Sequence, residues 1–174
     1  MNIVLIGYRG AGKSTVGQLL AKRLGRELVS TDAEIVRRAN CSVPEIVQRF
    51  GWDYFRDLES EVIRDLAGKD GLILDTGGGA ILRQQNVGRL KTHGLLFWLT
   101  AEVPTIVARI GTDTERPSLT GTKSFTEEIE DVLRERRPKY QAAADHVIET
   151  DHRTLAEVAE AILAKVRSSL NRAE

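Results

Sequence analysis

The chain has 174 residues, 41% hydrophobic and 29% charged, with 25 basic against 25 acidic side chains and no formal net charge. That length fits a single domain over residues 1–174 with a full core, and no linker, repeat or low-complexity tract divides it. A pI of about 6.9 argues against the broad basic surface of a nucleic-acid binder, no apolar run is long enough to span a bilayer, and the lone Cys41 cannot form an internal disulfide, so a cytoplasmic protein without nucleic-acid or membrane partners is expected.

The first element is the apolar run Asn2-Ile3-Val4-Leu5-Ile6, which reads as a buried strand and passes directly into Gly7-Tyr8-Arg9-Gly10-Ala11-Gly12-Lys13-Ser14. A G-x-x-x-x-G-K-S run between a strand and a helix is a phosphate-binding loop. Its glycines let backbone N–H groups point at polyphosphate oxygens, at the positive end of the following helix. Gly10, Ala11, Gly12 and Thr15 belong to this nucleotide-binding stretch; Lys13 reaches the β- and γ-phosphates, and the Ser14 hydroxyl is placed to ligate Mg2+. Val16, Leu19, Leu20 and Leu24 form the apolar stripe of the first helix, which stops at Gly25.

Further short apolar runs at Glu27–Val29, Leu72–Leu74, Leu95–Leu99 and His146–Ile148 alternate with longer amphipathic segments. This is βα repetition, and it predicts an α/β fold with a five-stranded parallel sheet covered on both faces, a three-layer αβα arrangement. Capping boxes at Thr31-x-x-Glu34, Ser124-x-x-Glu127 and Thr154-x-x-Glu157 mark helix starts, and Leu155, Val158, Ile162, Val166 and Leu170 stripe the last helix. Two regions break the rhythm. Residues 32–60 read as two or three short helices with no strand between them, long enough for a substrate-binding insertion; residues 111–123 have the length and composition of a mobile lid.

Several chemistries find no support. His93, His146 and His152 share no metal-ligand spacing, no Ser-His-Asp arrangement is visible, and the absence of an N-K-x-D sequence favours ATP over GTP. Asp75 closes the third apolar run as a Walker-B aspartate does; it either serves Mg2+ through water or hydrogen-bonds the glycine turn that follows.

Taken in order, G-Y-R-G-A-G-K-S-T, S-T-D ending at Asp32, F-G-W-D-Y-F-R ending at Arg56, G-G-G at 77–79, R-P-S-L-T-G from Arg116, R-R-P-K-Y from Arg136 and D-H-R ending at Arg153 resemble shikimate kinase over essentially the whole chain. The resemblance implies a P-loop kinase that moves the γ-phosphoryl group of ATP to the 3-hydroxyl of shikimate, on the chorismate route to aromatic amino acids, and a monomer is expected. By the same resemblance Arg56 and Arg136 grip the carboxylate, and Asp32 and the Gly77-Gly78-Gly79 turn meet the ring. Arg116 acts from the lid as an arginine finger, and Arg153 stacks on adenine opposite Arg109. Asp32 is the candidate for positioning or deprotonating the attacking hydroxyl, or else it supports the adjoining helix start. Ser30-Thr31-Asp32 stands where the family usually carries Asp-[Ser/Thr]-Asp, so Asp75 is expected to take up the metal-sphere duty that Ser30 cannot perform. A kinase of another polyhydroxylated acid such as gluconate and a catalytically silent ATP-binding relative stand as alternatives.

Overall fold

The structure is a computed structural model that describes residues 1–111 and 125–171. Arg116, Ser124 and all of the expected lid except Gly111 lie outside those residues. Five parallel strands, β1 (Asn2–Ile6), β2 (Leu28–Ser30), β3 (Ile73–Asp75), β4 (Gly94–Thr100) and β5 (His146–Glu149), form one sheet in the order β2-β3-β1-β4-β5. The helices are α1 (Lys13–Leu24), α2 (Thr31–Ala39), α3 (Val43–Ala67), α4 (Gln84–His93), α5 (Val103–Ile110), α6 (Phe125–Ala143) and α7 (Leu155–Leu170), with a 3-10 turn at Ala80–Leu82. No described helix is long and apolar enough to cross a membrane.

The period-two alternation of a strand buried on both sides divides the core. Ile3 and Leu5 of β1 join Phe97 and Leu99 against Val16 and Leu20 of α1 and Val158, Ile162 and Val166 of α7. Val4 and Ile6 face the other way, towards Val62 and Ile63 of α3, Val87 and Leu90 of α4 and Tyr140 of α6. The chain leaves β1 through α1 to one face and β3 through α4 to the other. These two strands are neighbours, so the crevice that opens between their carboxyl ends is where an open α/β sheet receives ligands.

Both striped helices pack as expected along most of their length, but Leu24, Leu155 and Leu170 are exposed. They occupy terminal positions of α1 and α7. The Thr154-Glu157 capping box forms. The expected Thr31-Glu34 box does not: α2 begins one residue earlier, with Ser30 as N-cap accepting from the Ala33 N–H at 3.3 Å, while Glu34 is held by Arg37 and Arg38 at 2.7–2.8 Å. These guanidinium hydrogen bonds hold the Glu34 carboxyl down at about 2. In the 32–60 region there are two helices, the second running on to Ala67. It opens with a Ser42-Glu45 capping box and bends at Gly51, which takes φ 82° and ψ 171°.

Ser30→Ala removes the side chain that caps α2 and is expected to cost about 1 kcal/mol of unfolding free energy, read as a lowered urea midpoint. An unchanged midpoint would mean that α2 does not depend on that cap.

Candidate active site

The first turn of α1 is built to leave its N–H groups open. Gly12 is the N-cap and offers no side chain to bond them at the positive helix end, while within the loop the Ala11 N–H closes a turn on the Tyr8 carbonyl at 3.2 Å. Lys13, buried, lies back along the loop and donates to the carbonyls of Gly7 at 2.9 Å and Tyr8 at 3.1 Å. Ser14 donates to Asp75 Oδ2 at 2.5 Å. The sheet explains that contact, because Asp75 pairs in register with Leu5 on one side and Ser30 on the other, at the strand ends that face the loop.

This loop floors a cleft of about 590 Å3. All six loop residues expected to bind nucleotide, Gly10 to Thr15, line it, together with Asp32, Asp75, Arg109 and Arg153. Arg109 is fixed from α5 to the far wall, donating to Thr150 Oγ1 at 2.9 Å, the Thr150 carbonyl at 3.2 Å and the Gly10 carbonyl at 3.3 Å. Exposed Leu155 and buried Val158 add apolar surface beside Arg153, as a flat base requires.

A second hollow, about 50 Å3, adjoins the first and contains Arg56, Arg136, Gly77, Gly78 and Gly79, the whole expected acceptor set, with Asp32 again in the wall. Asp32, Arg9, Gly77 and Gly78 are common to both spaces. The Arg56 guanidinium lies 5.4 Å from the Trp52 ring and 5.2 Å from that of Phe55, which bury its stem, and it donates to Glu59 Oε2 at 2.7 Å. It also lies so close to Gly79 that a Cβ there would overlap it. Arg136 donates to the Gly78 carbonyl at 3.1 Å, and the same oxygen accepts from Tyr140 at 2.5 Å. Burial keeps the Tyr140 phenol well above its usual range, so it donates as a neutral hydroxyl; Trp98 stacks on its other side at 5.6 Å.

Glu59 is wholly buried, and its Oε1 has no hydrogen-bond partner among the described residues. Burial pushes its carboxyl up, against the pull of Arg56. Several residues here were not picked out from the sequence. Arg9 occupies an unrestricted loop position, and Thr150, which follows β5, and Leu155 and Val158 of α7 join the cleft only through the tertiary fold. Glu59 alone left a readable signal, an acid three residues after Arg56 on one helix.

Ser14 and Asp75 form a hydroxyl–carboxylate pair facing the phosphate loop, a donor set suited to Mg2+, which binds few protein oxygens and keeps its waters. Among the described residues no group of three or more His, Cys, Asp or Glu could enclose a metal unaided.

A family model described as shikimate kinase matches residues 9–167. The chain belongs to the shikimate kinase family. A relative named shikimate kinase from Nitratidesulfovibrio vulgaris is 45% identical over 152 residues, 86% of each chain. The structure of shikimate kinase from Acinetobacter baumannii in complex with shikimate superposes with a TM-score of 0.91 at 36% identity, covering 97% of this chain and 93% of that one. A gluconokinase from Sinorhizobium meliloti 1021 gives 0.59 at 16% identity over 99% and 97%, a likeness of fold alone. As a member of the shikimate kinase family the chain is a phosphotransferase with ATP as co-substrate.

Because burial raises the Glu59 carboxyl above its value in the unfolded chain, about 4.3, ionised Glu59 costs folding free energy that grows as pH rises past that value. Glu59→Gln keeps the shape without the charge. Its thermal midpoint is expected to match wild type near pH 4 and to exceed it at higher pH, by a margin that grows until Glu59 is ionised in the folded protein too and then levels off. A variant less stable at pH 8 than at pH 4, relative to wild type, would contradict the assignment.

Proposed function

We propose that the protein transfers the γ-phosphoryl group of ATP to the 3-hydroxyl of shikimate through the residues described above. One observation carries this reading: the phosphate-loop cleft and the two-arginine hollow meet at a shared wall that contains Asp32. A donor phosphoryl group in one space and an acceptor hydroxyl in the other then face each other across a single carboxylate.

On the donor side Arg153 and Arg109 hold the base from opposite sides, and the N–H groups of the loop cradle the phosphates. Lys13, once released from the Gly7 and Tyr8 carbonyls, meets the β- and γ-oxygens. On the acceptor side Arg56 and Arg136 form charge-assisted hydrogen bonds to the substrate carboxylate, and the turn at Gly77–Gly79 lets backbone approach the ring closely. Asp32 accepts the proton of the attacking hydroxyl. A new O–P bond forms as the bond between the β,γ-bridging oxygen and the γ-phosphorus breaks, and ADP carries away the electron pair. Arg9, common to both spaces, adds positive charge near the point of transfer. Arg116 is proposed to complete this field, though it lies outside the described residues. Ser14 and Asp75 would hold Mg2+, Asp75 through water; when bound, the ion neutralises charge on the β- and γ-oxygens.

The retained Lys13, Ser14 and Arg116 speak against a silent relative, and the gluconate reading has fold likeness alone behind it. A cytoplasmic monomer acting on two small molecules belongs to the same proposal. A coupled assay of ADP release should show turnover with shikimate and background rates with gluconate or without an acceptor; equal rates with shikimate and without it would overturn the reading. Asp75→Asn should shift the Mg2+ midpoint for nucleotide binding, followed by calorimetry, by about 10- to 100-fold while shikimate binding without nucleotide stays as it was. An unmoved midpoint would leave Asp75 as a partner of Ser14 only.

A further inference from the structure

Thr31 stands between a cap and a candidate catalytic residue, yet its own side chain serves neither. It is wholly buried at the first position of α2, and its Oγ1 accepts from the Gly77 N–H at 2.9 Å. The next residue, Asp32, is so close to the same glycine that a Cβ on Gly77 would lie 2.6 Å from Asp32 Oδ1 and 2.6 Å from Glu59 Oε1. The near end of the glycine turn is therefore tied to the helix that carries Asp32.

The far end is tied to the helix that carries Arg56. The segment runs from Gly77 through the 3-10 turn to Arg83, with internal bonds from Ala80 N to the Gly77 carbonyl and from Leu82 N to the Gly79 carbonyl, both at 3.0 Å. Arg83 reaches back from the head of α4 into α3, donating to the Arg56 carbonyl at 3.1 Å, Asp57 Oδ1 at 2.6 Å and Ser60 Oγ at 3.2 Å. Ser60 in turn donates to the Arg56 carbonyl at 2.9 Å. The backbone of Arg56 is thus gripped from below while its guanidinium presses on Gly79.

We infer that the Gly77–Arg83 segment is a spacer, clamped by Thr31 at one end and Arg83 at the other, that sets the separation between Asp32 and Arg56 and hence which hydroxy acid spans them. Neither Thr31 nor Arg83 lines either pocket; both are positioning residues. The inference rests on the shikimate reading, in which the substrate must reach from a carboxylate grip to a hydroxyl acceptor. The spacer lies on the acceptor side, so its loosening should be felt by shikimate and not by ATP, a separation that general loss of fold would not produce.

The test is steady-state kinetics and nucleotide-free shikimate binding, the latter by tryptophan emission, on Thr31→Val, Thr31→Ser and Arg83→Met. Wild type must first turn over shikimate; if it does not, the functional reading fails rather than the spacer. With that established, Thr31→Val and Arg83→Met should each raise KM and Kd for shikimate about 5- to 20-fold, the scale of the one buried hydrogen bond lost at Thr31 and of the three partly solvent-screened ones lost at Arg83, with KM for ATP within about twofold. Thr31→Ser, which keeps the hydroxyl, should restore wild-type values. The Arg83 side chain is 30% exposed, so its variant keeps the test open if burying an unpaired Gly77 N–H prevents Thr31→Val from folding. Unchanged shikimate constants in Arg83→Met, or parallel losses for shikimate and ATP, would overturn the spacer.

Discussion

The register of β2, β3 and β1 is the constraint on which the site depends. Pairing Ser30 with Asp75 and Asp75 with Leu5 brings three strands to their carboxyl ends at one level, so whatever follows each strand arrives at the same edge. After β1 comes the phosphate loop, after β2 comes Asp32, and after β3 comes the glycine turn. A slip of one residue in β3 would turn Asp75 away from Ser14 and send the Gly77 N–H away from Thr31. Asn2 at the head of β1 opposes that slip, because its side-chain amide accepts from the Leu72 N–H at 2.9 Å and donates to the Lys69 carbonyl at 2.8 Å, pinning the entry to β3.

Electrostatics then divides the crevice. Its donor side is dominated by backbone dipoles and Lys13, which suit a polyphosphate; its acceptor side gathers Arg56 and Arg136 with Asp32 and Glu59, which suit an acid carrying hydroxyls. Glu59 is the unusual member. A carboxylate without solvent is costly, and here its position beside Arg56 holds a cation ready in a partly apolar wall made by Trp52 and Phe55. Rigidity at this point favours function over stability, since an uncharged residue would pack at lower cost.

What was legible in the sequence divides along the same lines. The phosphate loop could be read outright because its chemistry depends on backbone conformation and on side chains one or two residues apart. The five strands were found within a residue or two, for their apolar runs are short and bounded. Arg136 could not be separated from Arg134 and Arg137 by pattern, because only the rotation of α6 does so: Arg136 turns in to the Gly78 carbonyl, Arg134 pairs with Asp131 at 3.1 Å in solvent, and Arg137 points to Glu102 at 3.8 Å. Thr31 was read as a cap because Glu34 follows at the right spacing. The tertiary contact to Gly77, 46 residues away, overrides that local preference, and no local rule could have shown it.

Asp32, on the wall between the two spaces, is proposed to take the proton of the attacking hydroxyl. Single-turnover phosphoryl transfer in Asp32→Asn, measured by rapid quench with both substrates saturating, tests it most directly. Loss of a general base predicts a fall of about 10^2- to 10^4-fold in the transfer rate with ATP affinity unchanged. A transfer rate within a few-fold of wild type, in a variant of equal thermal stability, would contradict it.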